Sequence, residues 1–127
     1  MMNTSVDPAS VCCPWCGRKD NNLYFYITRT SNRNGNAGRP YVKCGPCQKF
    51  ITFQDNRGVH LDNPKCKCET PARLQVAGKF QKVKPRGLHY VCSTGGCNHY
   101  SVAKNELGRQ YSLSDDLLTM FVNLKLI

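Results

Sequence analysis

Apolar residues fall in short runs separated by polar stretches, a pattern that predicts strands. Leu23-Tyr24-Phe25-Tyr26-Ile27-Thr28 reads as a strand by its aromatic and β-branched content. Tyr41-Val42-Lys43 and Phe50-Ile51-Thr52-Phe53 follow, with the Asn- and Gly-rich loop Ser31–Gly38 between the first and second runs. The order then repeats. Ala72-Arg73-Leu74-Gln75-Val76 alternates, Lys79–Gly87 is a basic loop, and Leu88-His89-Tyr90-Val91 and His99-Tyr100-Ser101-Val102 complete a second set. The tail changes period. Ser114 can cap a helix running to Leu124, with Asp115 and Asp116 suiting the dipole at its start and Lys125 at its end. Leu117, Phe121 and Leu124 share one face, close to Leu113 and Met120, and predict the stripe that packs inward or against a second copy.

Composition explains what must hold such short strands together. The chain has 127 residues, nine of them Cys, and its 40% hydrophobic share includes those Cys. Segments of ~50 residues bury too little surface to stand without metal or disulfide crosslinks. A large enzyme fold and a helical bundle are excluded. Met1–Asp7 lacks the basic start and apolar stretch of an export signal, and no run approaches the ~20 apolar residues of a membrane span. The expected setting is a reducing nucleus or cytoplasm, where structural disulfides are rare. The Cys residues therefore point to metal.

Their spacing assigns ligands. Cys13-x2-Cys16 and Cys44-x2-Cys47 form one set; Cys66-x-Cys68 and Cys92-x4-Cys97 form another. Two tight turns, each offering two thiolates, build a tetrahedral all-sulfur zinc site, so two Zn2+ are expected. Cys12 is the spare, and with no acidic or His neighbour in sequence it reads as inert. His89 or His99 could each replace a thiolate of the second set, the minority arrangement, while His60 reads as exposed. The expected architecture is a small zinc-stabilised β protein. It comprises a first module (11–54), a polar connector (55–63), a second module (64–103) and a helical tail (112–127), each module a three-stranded antiparallel sheet with four Cys.

Asn36-Ala37-Gly38-Arg39-Pro40-Tyr41-Val42-Lys43-Cys44 resembles the GRF-type zinc finger, whose signature is N-x-G-R, an aromatic, then the third Cys. Cys66-Lys67-Cys68 through Cys92-Ser93-Thr94-Gly95-Gly96-Cys97 looks like a second copy, with the Gly-Arg order inverted to Arg86-Gly87. Family members occur on topoisomerases, repair nucleases and glycosylases, and as small stand-alone proteins in fungi and plants. The resemblance implies binding of single-stranded nucleic acid on a claw-like β surface, or of protein partners.

Charge supports the same expectation. Lys and Arg number 18 against 8 Asp and Glu, a net +10. Eight thiolates and two zinc ions would leave +6, still basic. Arg29, Arg33, Arg39 and Lys43 flank one loop, and Lys79, Lys82, Lys84 and Arg86 lie on the other, with Tyr41 and Tyr90 among the rings that could stack on bases. The resemblance makes Arg39 the motif Arg, expected to pair a phosphate. The expected partner is single-stranded DNA or RNA, with a protein partner or homodimer through the 114–124 helix as the alternative. No membrane is expected to take part. A zinc saturated by four thiolates keeps no open position for water, and no catalytic triad, carboxylate pair or P-loop appears, so no enzyme is expected.

Overall fold

A computed structural model describes residues 11–127; Met1–Asp7, the stretch read for export signals, lies outside them. Strands β1 (Leu23–Ile27), β2 (Pro40–Cys44) and β3 (Phe50–Phe53) form one antiparallel sheet in that order. Strands β4 (Arg73–Val76), β5 (Leu88–Val91) and β6 (Tyr100–Val102) form the other. Helix α1 (Asp115–Asn123) follows, its Leu117 amide donating 3.2 Å to the Ser114 hydroxyl as the capping pattern predicts. No helix among the described residues is long and apolar enough to cross a membrane.

Period-2 alternation gives the first sheet two different faces. Leu23 and Val42 turn inward with Val11, Cys13, Cys44 and Ile51 as a small core. Tyr24, Tyr26, Tyr41 and Lys43 point the other way, since Tyr24 pairs with Lys43 and Tyr26 with Tyr41. A register shift where Val42 faces Thr52 and Lys43 faces Phe50 lets two successive residues, Ile51 and Thr52, both be buried. Ile51 fills the core of its own module. Thr52 turns to the other module, its hydroxyl 3.4 Å from the Ser93 carbonyl.

The connector is not a tether; it is part of a seam. Arg73 of β4, 0% exposed, sends its guanidinium into the first module. Nη1 donates to Asp55 Oδ1 at 2.9 Å and to the Arg57 carbonyl at 2.7 Å; Nη2 lies 2.6–3.1 Å from the carbonyls of Asp55, Phe53 and Ser93. Asp55 also accepts from Arg39, Nε to Oδ2 at 2.8 Å and Nη2 to Oδ1 at 2.7 Å. Burial alone would raise the Asp55 carboxyl, but the Arg39 and Arg73 cations outweigh it and hold it below the usual range. Gly95 completes the contact. A Cβ there would lie 2.8 Å from Ile51 and 3.0 Å from Thr52, and its φ is +74°.

The helix packs on a different face from the one its spacing suggested. Leu118 is 5% exposed, and Phe121 and Val122 pack beside it against Leu88, Ala103, Leu113 and Ile127. Leu117 and Leu124 are exposed. The helix is wedged between the second sheet and the first module's 31–38 loop, where Gly35 meets Val122 and Leu118. That double contact rotates the buried stripe to the adjacent set of positions.

Candidate metal centres and the exposed aromatic face

Each Cys pair occupies a turn that aims both sulfurs the same way. The Cys13 amide donates to the Arg18 carbonyl at 2.8 Å and the Cys44 amide to the Lys49 carbonyl at 2.9 Å, closing the first two turns. The Cys66 amide closes the third on the Thr70 carbonyl at 3.0 Å. The residue after each of these pairs, Gly17, Gln48 and Glu69, has φ of +76°, +57° and +64°. Only Gly adopts that conformation cheaply; Gln48 and Glu69 are held there by the turn.

The sulfurs gather into two tetrads, Cys13/Cys16/Cys44/Cys47 and Cys66/Cys68/Cys92/Cys97, each with its ligand atoms within 4.8 Å of one another. Individual S···S distances are 3.8 Å for Cys13–Cys47, 3.7 Å for Cys16–Cys44, 3.7 Å for Cys66–Cys92 and 4.0 Å for Cys68–Cys92. A disulfide needs ~2.05 Å. Four sulfurs at ~2.3 Å from a central ion sit ~3.8 Å apart if tetrahedral, so the spacing fits Zn2+. The surroundings favour thiolate at one Cys of each tetrad. The Arg18 backbone N–H leads the donors that bring Cys16 down to about 6. Burial would raise Cys92, yet the Thr94 hydroxyl and nearby amides lower it to about 6. Without a cation, sharing with Cys16 pushes Cys47 up to about 12, and burial beside Cys92 pushes Cys68 up to about 12. Metal binding favours the thiolate form and releases the protons that the sulfurs carry. His89 stacks on Tyr100 at 5.1 Å and His99 bonds Ser101 at 3.1 Å, so neither joins a tetrad.

Residues 10–57 match the family model of the GRF-like zinc ribbon domain. That stretch is similar to a GRF-like zinc ribbon. No curated protein and no solved structure matches the chain. The second tetrad and its sheet repeat the zinc ribbon fold, and α1 follows them.

On the outer face of the GRF-like sheet lies a ladder of rings. Tyr26 stacks on Tyr41 at 5.4 Å, Tyr41 meets Phe50 at 5.9 Å, and Phe50 meets Phe53 edge-on at 4.8 Å. Arg29, Ser31 and Asn32 wall a hollow of ≈ 390 Å³ over Tyr41 and Phe50. Lys43 shares this face, half-buried opposite Tyr24 and Phe50.

Three of the anticipated contacts are placed otherwise. Arg39 is 4% exposed, clamped by Asp55 and Asn36 with its guanidinium 3.7 Å over Phe53, so it has no free fork for a phosphate. Arg86 is buried, with Nη2 3.3 Å from Asp115. Tyr90 is half-buried against the second module's core, away from the basic 79–87 loop's lysines, and borders a hollow lined by Leu74, Leu88 and Phe121. Arg29, Arg33 and Lys82 are exposed and Lys84 is half-exposed. Sequence reasoning passed over Phe80, 90% exposed within Lys79–Lys84. An aromatic isolated among lysines was its available signal.

Proposed function

We propose that the protein is a non-enzymatic zinc ribbon of the nucleus or cytoplasm that binds single-stranded nucleic acid on the outer face of its first sheet. The ring ladder Tyr26–Tyr41–Phe50 carries this reading, because rings in series beside cationic side chains are what unpaired bases and their phosphates require. Arg29 and Lys43 supply the charge. The single α-helix among the described residues docks Leu118, Phe121 and Val122 on the fold and carries no Lys or Arg, so the cationic surface on offer is a sheet rather than a groove-reading helix.

Fluorescence anisotropy with a labelled oligonucleotide tests it. Tyr41→Ala should weaken binding about tenfold, the effect of one lost stacking platform at ~1–3 kcal/mol. Contacts to roughly four to six phosphates would give a log K against log salt slope of about −3 to −4. No binding by the zinc-loaded protein at low salt would overturn the proposal. It would favour the second reading, a protein-interaction adaptor, which is supported by Leu117 and Met120 standing exposed on α1 and Leu124 just past its end. Such an apolar contact would be nearly indifferent to salt.

A further inference from the structure

Three hollows run in series across the molecule and share walls. Asn32 lines both the aromatic hollow and a smaller one of ≈ 200 Å³ beside α1. Arg33, Leu118 and Thr119 line that one and also a third, of ≈ 430 Å³, whose far wall is Lys79 and Phe80 of the second module. The modules meet here, since a Cβ on Gly78 would lie 3.8 Å from the Asn34 side-chain Nδ2. We infer that a bound strand does not end on the first sheet but continues over the 31–38 loop and along α1 onto the second module's 79–87 loop.

This rests on the nucleic-acid reading above and extends it to a two-module path. The path is built to stay open. The Asn32 side chain accepts from the amides of Asn34 and Asn36, at 2.9 and 3.2 Å, fixing the loop from which Arg33 projects. Its chemistry alternates as a single strand's does. Arg33 and Lys79 stand where phosphates pass, and Phe80, 90% exposed with only the Lys79 ammonium 6.0 Å from its ring centre, offers a face to a base. Asp115 is the acidic group lining the third hollow, and Arg86 neutralises it from beneath. The buried Arg86 thus keeps the wall from repelling a polyanion instead of gripping one. A membrane would use the same lysines with Phe80 and Val83, both exposed, but Arg33, Asn34 and Thr119 on the opposite wall add polar groups that suit a strand's backbone rather than acyl chains.

The test compares oligodeoxythymidines of about 4 and about 16 nucleotides on the zinc-loaded full chain, spanning the usual range of single-strand site sizes. The long oligomer should bind at least tenfold tighter than its extra registers explain. Phe80→Ala, and separately Arg33→Ser with Lys79→Ser, should remove about tenfold from the long oligomer and leave the short one unchanged. These side chains are exposed, and retention of two zinc ions confirms the variants are folded. Tyr41→Ala should weaken both lengths. Equal loss at both lengths, or none, overturns the two-module path while the first-sheet proposal stands. Phe80-dependent sedimentation with phosphatidylserine vesicles, with no length dependence, overturns it in favour of a lipid surface. Absence of any oligonucleotide binding defeats the first-sheet proposal itself, and the path with it.

Discussion

Asp55 holds two guanidiniums with one carboxylate, and the three side chains come from three places: the 31–39 turn, the connector and β4. Removing the acid strands two buried cations, which typically costs about 3–5 kcal/mol. Asp55→Ala should therefore lower the urea midpoint sharply while both zinc ions stay bound by native mass spectrometry. Arg39→Ala separates structure from recognition. It should destabilise the fold, yet leave oligonucleotide affinity of the folded protein within about twofold, because Arg39 touches Asp55 and Phe53 rather than solvent. At the metal the distinction is sharper still. Cys12→Ser should keep two zinc ions, and Cys16→Ser should keep one. None of Arg39's fate could be read from its motif. A motif Arg beside Gly looks the same whether its fork meets a phosphate or a carboxylate sixteen residues on.

The strands were legible because their causes are local: aromatic and β-branched runs, with Cys turns at their ends. Phe50–Phe53 and Leu88–Val91 lie where the pattern puts them. The helix was legible in extent and cap, but not in orientation. Two stripes about 100° apart, 117/121/124 and 118/121/122, are both apolar, and only the Gly35 loop of the other module selects between them. Gly35 has φ +85°, and a Cβ would come 2.7 Å from Val122. Gly35→Ala should cost roughly 2 kcal/mol from conformation and clash together. Adding Val122→Ala should restore only part of it in thermal melts. Deleting residues 112–127 uncovers Leu74, Leu88 and Tyr90, so that variant should precipitate or melt well below the full chain.

For the whole molecule, the seam couples what the repeat pattern divides. Charged residues on a strand ordinarily face water, so Arg73 gave no sign that it would be buried among carbonyls of the first module, the connector and its own module. Ser93 and Gly95, which follow Cys92, supply the acceptors and the close approach on the second module's side. Trp15 is the chain's single Trp and sits between Cys13 and Cys16, so its fluorescence reports on the first tetrad. Cys92→Ser, which damages only the second tetrad, should still move the Trp15-monitored unfolding midpoint to lower denaturant. Independent modules would leave it in place. Direction of synthesis adds an order to this coupling. Arg73 leaves the ribosome eighteen residues after Asp55, about 1–4 s later at ordinary elongation rates. During that interval Arg39 alone occupies the carboxylate, and the leading module can gather its four sulfurs and close. The nascent chain is then latched from behind, as the trailing strand delivers its guanidinium into a cradle already folded to receive it.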